Sequence, residues 1–236
     1  MATPPGQVPR PDFPRFGLPR YASRFPRRSD DRSITLVATD GSKVSAQAFG
    51  DDPPSENHLP DRVERVTLSA NLHCVTTWSS PDLVWCGIRL TDFIATHLQP
   101  LDTLVGQVQQ VVFCAQDGYR TSLPTTDCLS DRIIIADELN GEPLTIEHGA
   151  PIRLVAPDHY GCKNLKHLTR IELSASNHPV KRGLYNMLDH PRARVAHEER
   201  GRYVPGWLLR YFYRLLIPRT VRTFKHHMDR YHADNG

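Results

Sequence analysis

Cys74 stands in the stretch "NLHCVTTWSS" (71–80), where the alternation of Val66, Leu68, Ala70 and Leu72 predicts a β-strand running up to it. Polar residues and a tryptophan follow closely. A free cysteine at a strand end packs as a small hydrophobe. A metal-binding or nucleophilic thiolate instead needs polar, partly open surroundings. The local residues leave both uses open. A second set lies in "HGAPIRLVAPDHYGCKNLKHL", with His148 and Arg153 five apart, then Lys163 and Lys166 after a glycine turn. An arginine inside an apolar strand is costly unless paired. Arginine meets phosphate bidentately and lysine as a point charge. The cluster therefore reads either as a site for a phosphorylated cofactor or as a surface ion-pair group using Asp158 or Glu172.

The elements that position these groups are short. "RSITLVA" (32–38), "VQQVVFCA" (108–115), "RIIIA" (132–136), "APIRLVAP" (150–157) and "TRIELSA" read as strands, with a loop at "AFGDDPPSENHLPD" (48–61). "RLTDFIATHL" places Leu90, Phe93, Ile94 and Leu98 at helical spacing. Strands mixed irregularly with short helices predict an α+β domain over 31–180, not a doubly wound repeat. Seven of the twenty prolines fall in residues 1–30, which predicts an extended basic arm laid over the body. The tail, 181–236, reads as two amphipathic helices broken at Pro218. Trp207, Tyr211 and Leu215 share a face of the first helix, and Val221, Phe224, Met228 and Tyr231 continue in the second. That face fits packing on the domain, self-association, or peripheral contact with a membrane surface or partner.

Composition narrows the function classes. The net charge of +3 conceals an acidic middle, with eleven bases and nineteen acids in 31–180, between a basic arm and a basic tail. No nucleic-acid-binding signature accompanies the basic ends, so no nucleic-acid partner is expected. No apolar run approaches the about 18 residues of a membrane span, and no secretory signal is legible, so a cytoplasmic protein is expected. Five cysteines, an odd number without a repeating pattern, agree with free thiols. The C-x-x-C, H-E-x-x-H, G-x-S-x-G, Walker A and G-x-G-x-x-G patterns are all missing.

Four blocks, "LHCVTTWS", "WCGIRLTDFI", "DGYRTSLP" and "NGEPLTIEHGAPIRLVAPDHYGCKNLKHLTRIEL", resemble in that order the molybdopterin-binding domain of the sulfite oxidase family over roughly residues 62–175. A weaker likeness in "PRFGLPRY" extends it to the arm. The resemblance implies the mixed α+β fold of that family, a molybdenum-molybdopterin cofactor, and Cys74 as the protein's ligand to the metal, a soft thiolate beside dithiolene sulfur. It implies cofactor-binding roles for His148 and Arg153, and a phosphate-contacting segment at Asn164, Leu165 and Lys166. Tyr119 falls on the active-site tyrosine, suited to hydrogen-bonding an oxyanion or relaying a proton. Asp117, Phe16 and Gly17 fall where further cofactor contacts belong.

One position departs from the pattern. Sulfite-oxidising members carry an arginine five residues beyond the cysteine, where this chain has Ser79. With neither a haem domain before the core nor an immunoglobulin-like domain after it, the likeness is to the compact bacterial branch. The resulting expectation is a molybdopterin oxidoreductase transferring an oxygen atom or two electrons to or from a small polar substrate, with an electron-transfer partner that the sequence does not identify. It is not expected to be an efficient sulfite oxidase. The alternative is a molybdopterin-binding carrier or sensor whose basic tail docks a partner.

Overall fold

The structure is a computed structural model and describes residues 3–27, 30–49, 63–178, 180 and 190–235. In chain order, the strands before the first helix are β1 (Val8–Pro9), β2 (Ser33–Val37), β3 (Lys43–Gln47), β4 (Arg65–Ser69), β5 (Leu72–His73), β6 (Trp78–Ser80) and β7 (Val84–Arg89). Helix α1 (Leu90–His97) leads to β8 (Gln110–Ala115), β9 (Arg120–Pro124) and a single turn, α2 (Thr125–Cys128). Then come β10 (Ile134–Leu139), β11 (Glu142–Pro143), β12 (Arg153–Val155), β13 (Leu168–Ser174) and the long α3 (Gly206–Asn235).

Among the described residues these strands form two five-stranded sheets and one of three. The first is ordered β3-β2-β13-β8-β9, and the second β11-β10-β7-β4 with β12 also on β10. The small sheet is β1-β6-β5. Only the pairing of β2 with β13 and of β1 with β6 is parallel. This is the mixed α+β architecture that the irregular alternation of short elements predicted.

The sheet of β10 is the middle layer. Successive strand side chains point to opposite faces, so Ile135 joins the main core with Ile34, Phe93, Phe113 and Ile171. Its neighbours Ile134 and Ala136 face the second core with Trp78, Trp85 and Cys74. Both faces being covered explains why "RIIIA" is apolar without alternation. Gly87 permits the close packing of β7 on β10, because a Cβ there would stand 2.0 Å from the carbonyl oxygen of Ile135.

Three expectations change. The strand leading to Cys74 is two strands in different sheets: β4 pairs with β7, whereas β5 pairs with β6. The chain leaves the first ladder at Ala70, whose carbonyl accepts the Trp85 indole N–H at 3.2 Å instead of a strand partner. The tail carries one helix rather than two, with Pro218 inside α3. Proline removes one backbone donor, while a buried stripe of Leu209, Thr220, Phe224 and Met228 continues on both sides of it. The face of Trp207, Tyr211 and Leu215 does not pack on the body but is exposed. In the arm, Val8 N–H donates to Thr77 and Arg10 N–H to Ser79, laying β1 along β6, and Pro19–Tyr21 form a short 3-10 turn. Most of the loop expected at 48–61 and the start of the tail, 181–189, lie outside the described residues. Among the described residues no helix is long and apolar enough to cross a membrane.

Candidate active site

Cys74 sits in the tight turn from β5 to β6. Its N–H donates to Trp78 at 2.8 Å, and Thr77 closes the turn in the left-handed region with φ of 78°. Three distant segments hold this turn. The Gln7 side-chain amide of the arm donates to the Cys74 carbonyl at 3.0 Å. Gly161 N–H donates to the His73 carbonyl at 2.7 Å. Arg200, from the stretch before α3, donates to the Val75 carbonyl at 2.7 Å and to Pro5 of the arm at 3.1 Å. The thiol lies 3.1 Å from the Thr76 hydroxyl. Burial pushes the Cys74 thiol up, while the Thr76 contact and the charges of Arg200 and Lys166 pull it down.

The thiol opens into a cavity of about 180 Å³. Phe13, Phe16, Trp78 and Phe224 supply aromatic walls, and Cys74, Arg15, Asp117, Tyr119, Arg153 and Lys166 supply its chemistry. Phe16 meets Trp78 edge-on at 5.6 Å and lies parallel to Phe224 of α3 at 6.3 Å. Gly17 stands beside them, where a Cβ would come 3.4 Å from the Phe224 ring. Arm and tail therefore close the cavity together.

The cations are the decisive feature. Arg153 is only 1% exposed, stacks over Trp85 at 4.8 Å, and donates to the His148 carbonyl at 2.7 Å. Its buried Nε has no partner, and burial lowers its pKa to about 9. Lys166 donates to the Glu147 carbonyl at 2.5 Å. Burial first, then Arg153 and Arg15, push it well below the ordinary lysine range. Arg15 donates to the carbonyls of Ala22, Tyr21 and Arg24. None of the three forms an ion pair with a described carboxylate. The carboxylates proposed for a surface ion-pair group are engaged elsewhere, Asp158 with Arg132 and Glu172 with Arg120 and Arg170. Buried positive charge tied only to carbonyls is what an incoming anion stabilises.

The other residues singled out in the sequence divide. Tyr119 lines the cavity and donates its hydroxyl proton to the Cys162 carbonyl at 2.8 Å. Asp117, raised by burial and lowered by the Tyr119 N–H and then by Arg15, lies beside it. Asn164 and Leu165 line the cavity too, but the Asn164 amide is committed to its own loop, bonding Ala156, His159 and Tyr160. Leu165 is core. His148 does not line the cavity and stacks behind Phe13 at 4.4 Å with its Nδ1 unpartnered. Burial, then Lys166 and Arg153, lower its pKa to about 3, so it is neutral. Lys163 turns away to the Ser122 carbonyl. Ser79 is not in the cavity either: its hydroxyl is buried between Gln7 and His73 in the seam with the arm. Sequence reasoning missed Arg15, Arg200 and Phe224. Arg15 stands beside Phe16 and Gly17 in "PRFGLPRY", Phe224 is marked only as part of the tail's apolar face, and nothing local marks Arg200.

No group of three or more His, Cys, Asp or Glu side chains among the described residues can hold a metal ion. Cys74 could contribute one sulfur to a metal centre, and three cations without a described carboxylate partner suit a cofactor that carries a phosphate. The residues fit a sulfur-ligated, phosphorylated metal cofactor.

The family described as the oxidoreductase molybdopterin binding domain matches residues 56–181, more than half of the chain. The chain belongs to this family. YuiH of Bacillus subtilis, named an uncharacterized oxidoreductase, is 39% identical over 123 residues, covering 51% of this chain and 60% of its own. The mitochondrial sulfite oxidase of Drosophila melanogaster is 38% identical over 96 residues, 37% of this chain and 16% of that protein. The sulfane dehydrogenase SoxCD of Paracoccus pantotrophus aligns over 64% of this chain and 40% of its own at 18% identity, with a TM-score of 0.49. The chain thus spans 60% or less of each. The family segment holds Cys74, Asp117, Tyr119, His148, Arg153 and Lys166, while Arg15, Phe16, Gly17, Arg200 and Phe224 lie outside it.

Proposed function

We propose that this chain is a molybdopterin-dependent oxidoreductase that acts on a small, weakly charged acceptor or donor such as a sulfoxide, an N-oxide or an aldehyde. The observation that carries the reading is the Cys74 thiol opening into the same cavity as Arg15, Arg153 and Lys166, none with a carboxylate partner. When bound, the cofactor supplies two-electron and oxygen-atom transfer. Cys74 would hold its molybdenum. Arg153 and Lys166 would hold its anionic part. Tyr119, whose hydroxyl donates to the Cys162 carbonyl, would present its hydroxyl oxygen to the substrate, and the aromatic walls keep water out of the cavity and so strengthen every charge interaction within it.

Sulfite discrimination needs fixed positive charge that faces the dianion. Ser79 is neutral and buried in the seam, so the position that carries the arginine in sulfite-oxidising members supplies no charge to the cavity. Purified protein should contain molybdenum and release a fluorescent pterin on oxidation. Cys74→Ser should remain folded and lose all turnover, since a hydroxyl is a poor replacement for a soft thiolate. An active Cys74→Ser enzyme would defeat the assignment. Steady-state kinetics with sulfite and an artificial acceptor should give a kcat/KM below about 10⁶ M⁻¹s⁻¹, the middle of the usual enzyme range. A value at or above that would make Arg15 the sulfite-facing cation.

A further inference from the structure

The first half of α3 is inverted relative to a soluble helix. Trp207, Tyr211 and Leu215 form one row at four-residue spacing, and Leu208, Phe212 and Leu216 form the next. All six are between 38% and 79% exposed. Tyr203, just before the helix, is also exposed at 68%. The rows lie opposite the buried Leu209, Thr220, Phe224 and Met228, so the helix is anchored on one side and bare on the other. A contiguous apolar face of this size on a folded domain marks an interaction surface.

Charge decides what the surface fits. From Arg200 to Met228 the sequence has seven Lys and Arg residues and no Asp or Glu. Arg202, Arg214, Arg219 and Arg222 are exposed and form no ion pair with a described residue. After Pro218 the same outward side carries Arg219 and Arg222, followed by Lys225 paired with Asp229 at 3.0 Å. A second copy seated on this face would set Arg214, Arg219 and Arg222 against one another, and Asp229, the carboxylate beside them beyond Pro218, is already paired with Lys225. An anionic lipid surface supplies what is missing: phosphates for the arginines, acyl chains for the leucines, and a headgroup boundary suited to tryptophan and tyrosine.

We propose that α3 is a membrane-surface anchor that lies in the plane of an anionic bilayer, with Trp207, Tyr211, Phe212, Leu215 and Leu216 inserted and Arg214, Arg219 and Arg222 on the lipid phosphates. No helix here can span a bilayer among the described residues, so the attachment is peripheral and reversible. Phe224, on the buried side of the same helix, lines the cavity of Cys74, so docking brings the site close beneath the lipid surface.

The protein has a built-in reporter. Trp78 and Trp85 are buried at 2% and 0% exposure, leaving Trp207 as the exposed one of three tryptophans. The full-length protein should co-sediment with vesicles of phosphatidylcholine and phosphatidylglycerol, and its emission should shift to the blue. Binding to phosphatidylcholine alone should be at least about tenfold weaker, and raising the salt from low to molar levels should weaken anionic binding similarly. Leu215→Glu and Arg214→Glu/Arg219→Glu should each reduce anionic binding by about tenfold or more. Neither touches the cavity, so cofactor content and far-ultraviolet circular dichroism should match wild type. Failure to bind anionic vesicles at low salt, or equal binding with and without phosphatidylglycerol, overturns the proposal. So does a dimer by light scattering that Leu215→Glu dissociates in protein that binds no vesicles, because a second copy would then be the occupant.

Discussion

Arg153 is held in a state that is unfavourable for the empty protein. A buried guanidinium without a carboxylate loses its hydration and recovers it only through carbonyls, and the fall of its pKa to about 9 reflects that imbalance. Lys166 is in the same position. Such groups persist where they serve a ligand. Arg153→Met and Lys166→Met should therefore separate stability from cofactor binding. The cofactor-free variants should unfold at the same denaturant concentration as wild type or a higher one. Their affinity for molybdopterin should fall about ten- to a hundredfold through loss of charge-assisted contacts. Denaturant midpoints beside pterin content in the same preparations check both halves. Pterin content equal to wild type in folded protein would leave these cations with a structural role only. Cys74 illustrates the limit of residue-level reading. Its sequence neighbours left a core thiol and a ligand both open, and in the structure it packs in the second core and also lines the cavity.

At the scale of elements, periodicity located most strands and α1 but not their connections. The alternation from Val66 to Leu72 is real, yet the chain changes sheets within it, because Ala70 gives its carbonyl to the Trp85 indole. That partner is fifteen residues away, and no local pattern contains it. Pro218 predicted a break in the tail, and the helix continues because packing on both sides outweighs one lost hydrogen bond, an effect of about 3 kcal/mol that tertiary contacts can absorb. Gly87 offers an element-scale test. Its α-carbon faces the Ile135 carbonyl at a distance that leaves no room for a methyl group, and β7 and β10 carry the layer between the two cores. Gly87→Ala should destabilise the protein by about 2 kcal/mol or more through forced separation of these strands. Chemical denaturation reads it directly, and a loss below about 0.5 kcal/mol, the size of an ordinary surface substitution, would show that the sheets can yield.

Across the whole molecule, burial sets an acid limit. His148 and His167 both have pKa values lowered to about 3, mainly by burial, with Lys166 and Arg153 adding to it and, for His167, the Ala150 carbonyl opposing. Protonation thus favours the unfolded chain, where histidine titrates near its ordinary value, and the stability is complete above that value. It is lost as pH falls from about 6.5 towards 3. Glu199, with a pKa lowered to about 2 by Arg194 and His190 against burial, acts in the same direction below the usual carboxylate range. Cofactor-free protein should lose about 4 kcal/mol between pH 7 and 5, about 2 for each histidine, and His167→Gln should flatten that slope in thermal unfolding. The sequence by itself determined the fold class and, through four motif blocks, the family, because apolar periodicity and the order of such blocks are local properties of the chain. Only the tertiary structure decided which cations face the thiol, that Ser79 and His148 do not line the cavity, and that the arm and α3 close it. Those facts depend on contacts such as Arg200 with Val75, 125 residues apart, and burial against a distant segment leaves no mark on the residues beside it.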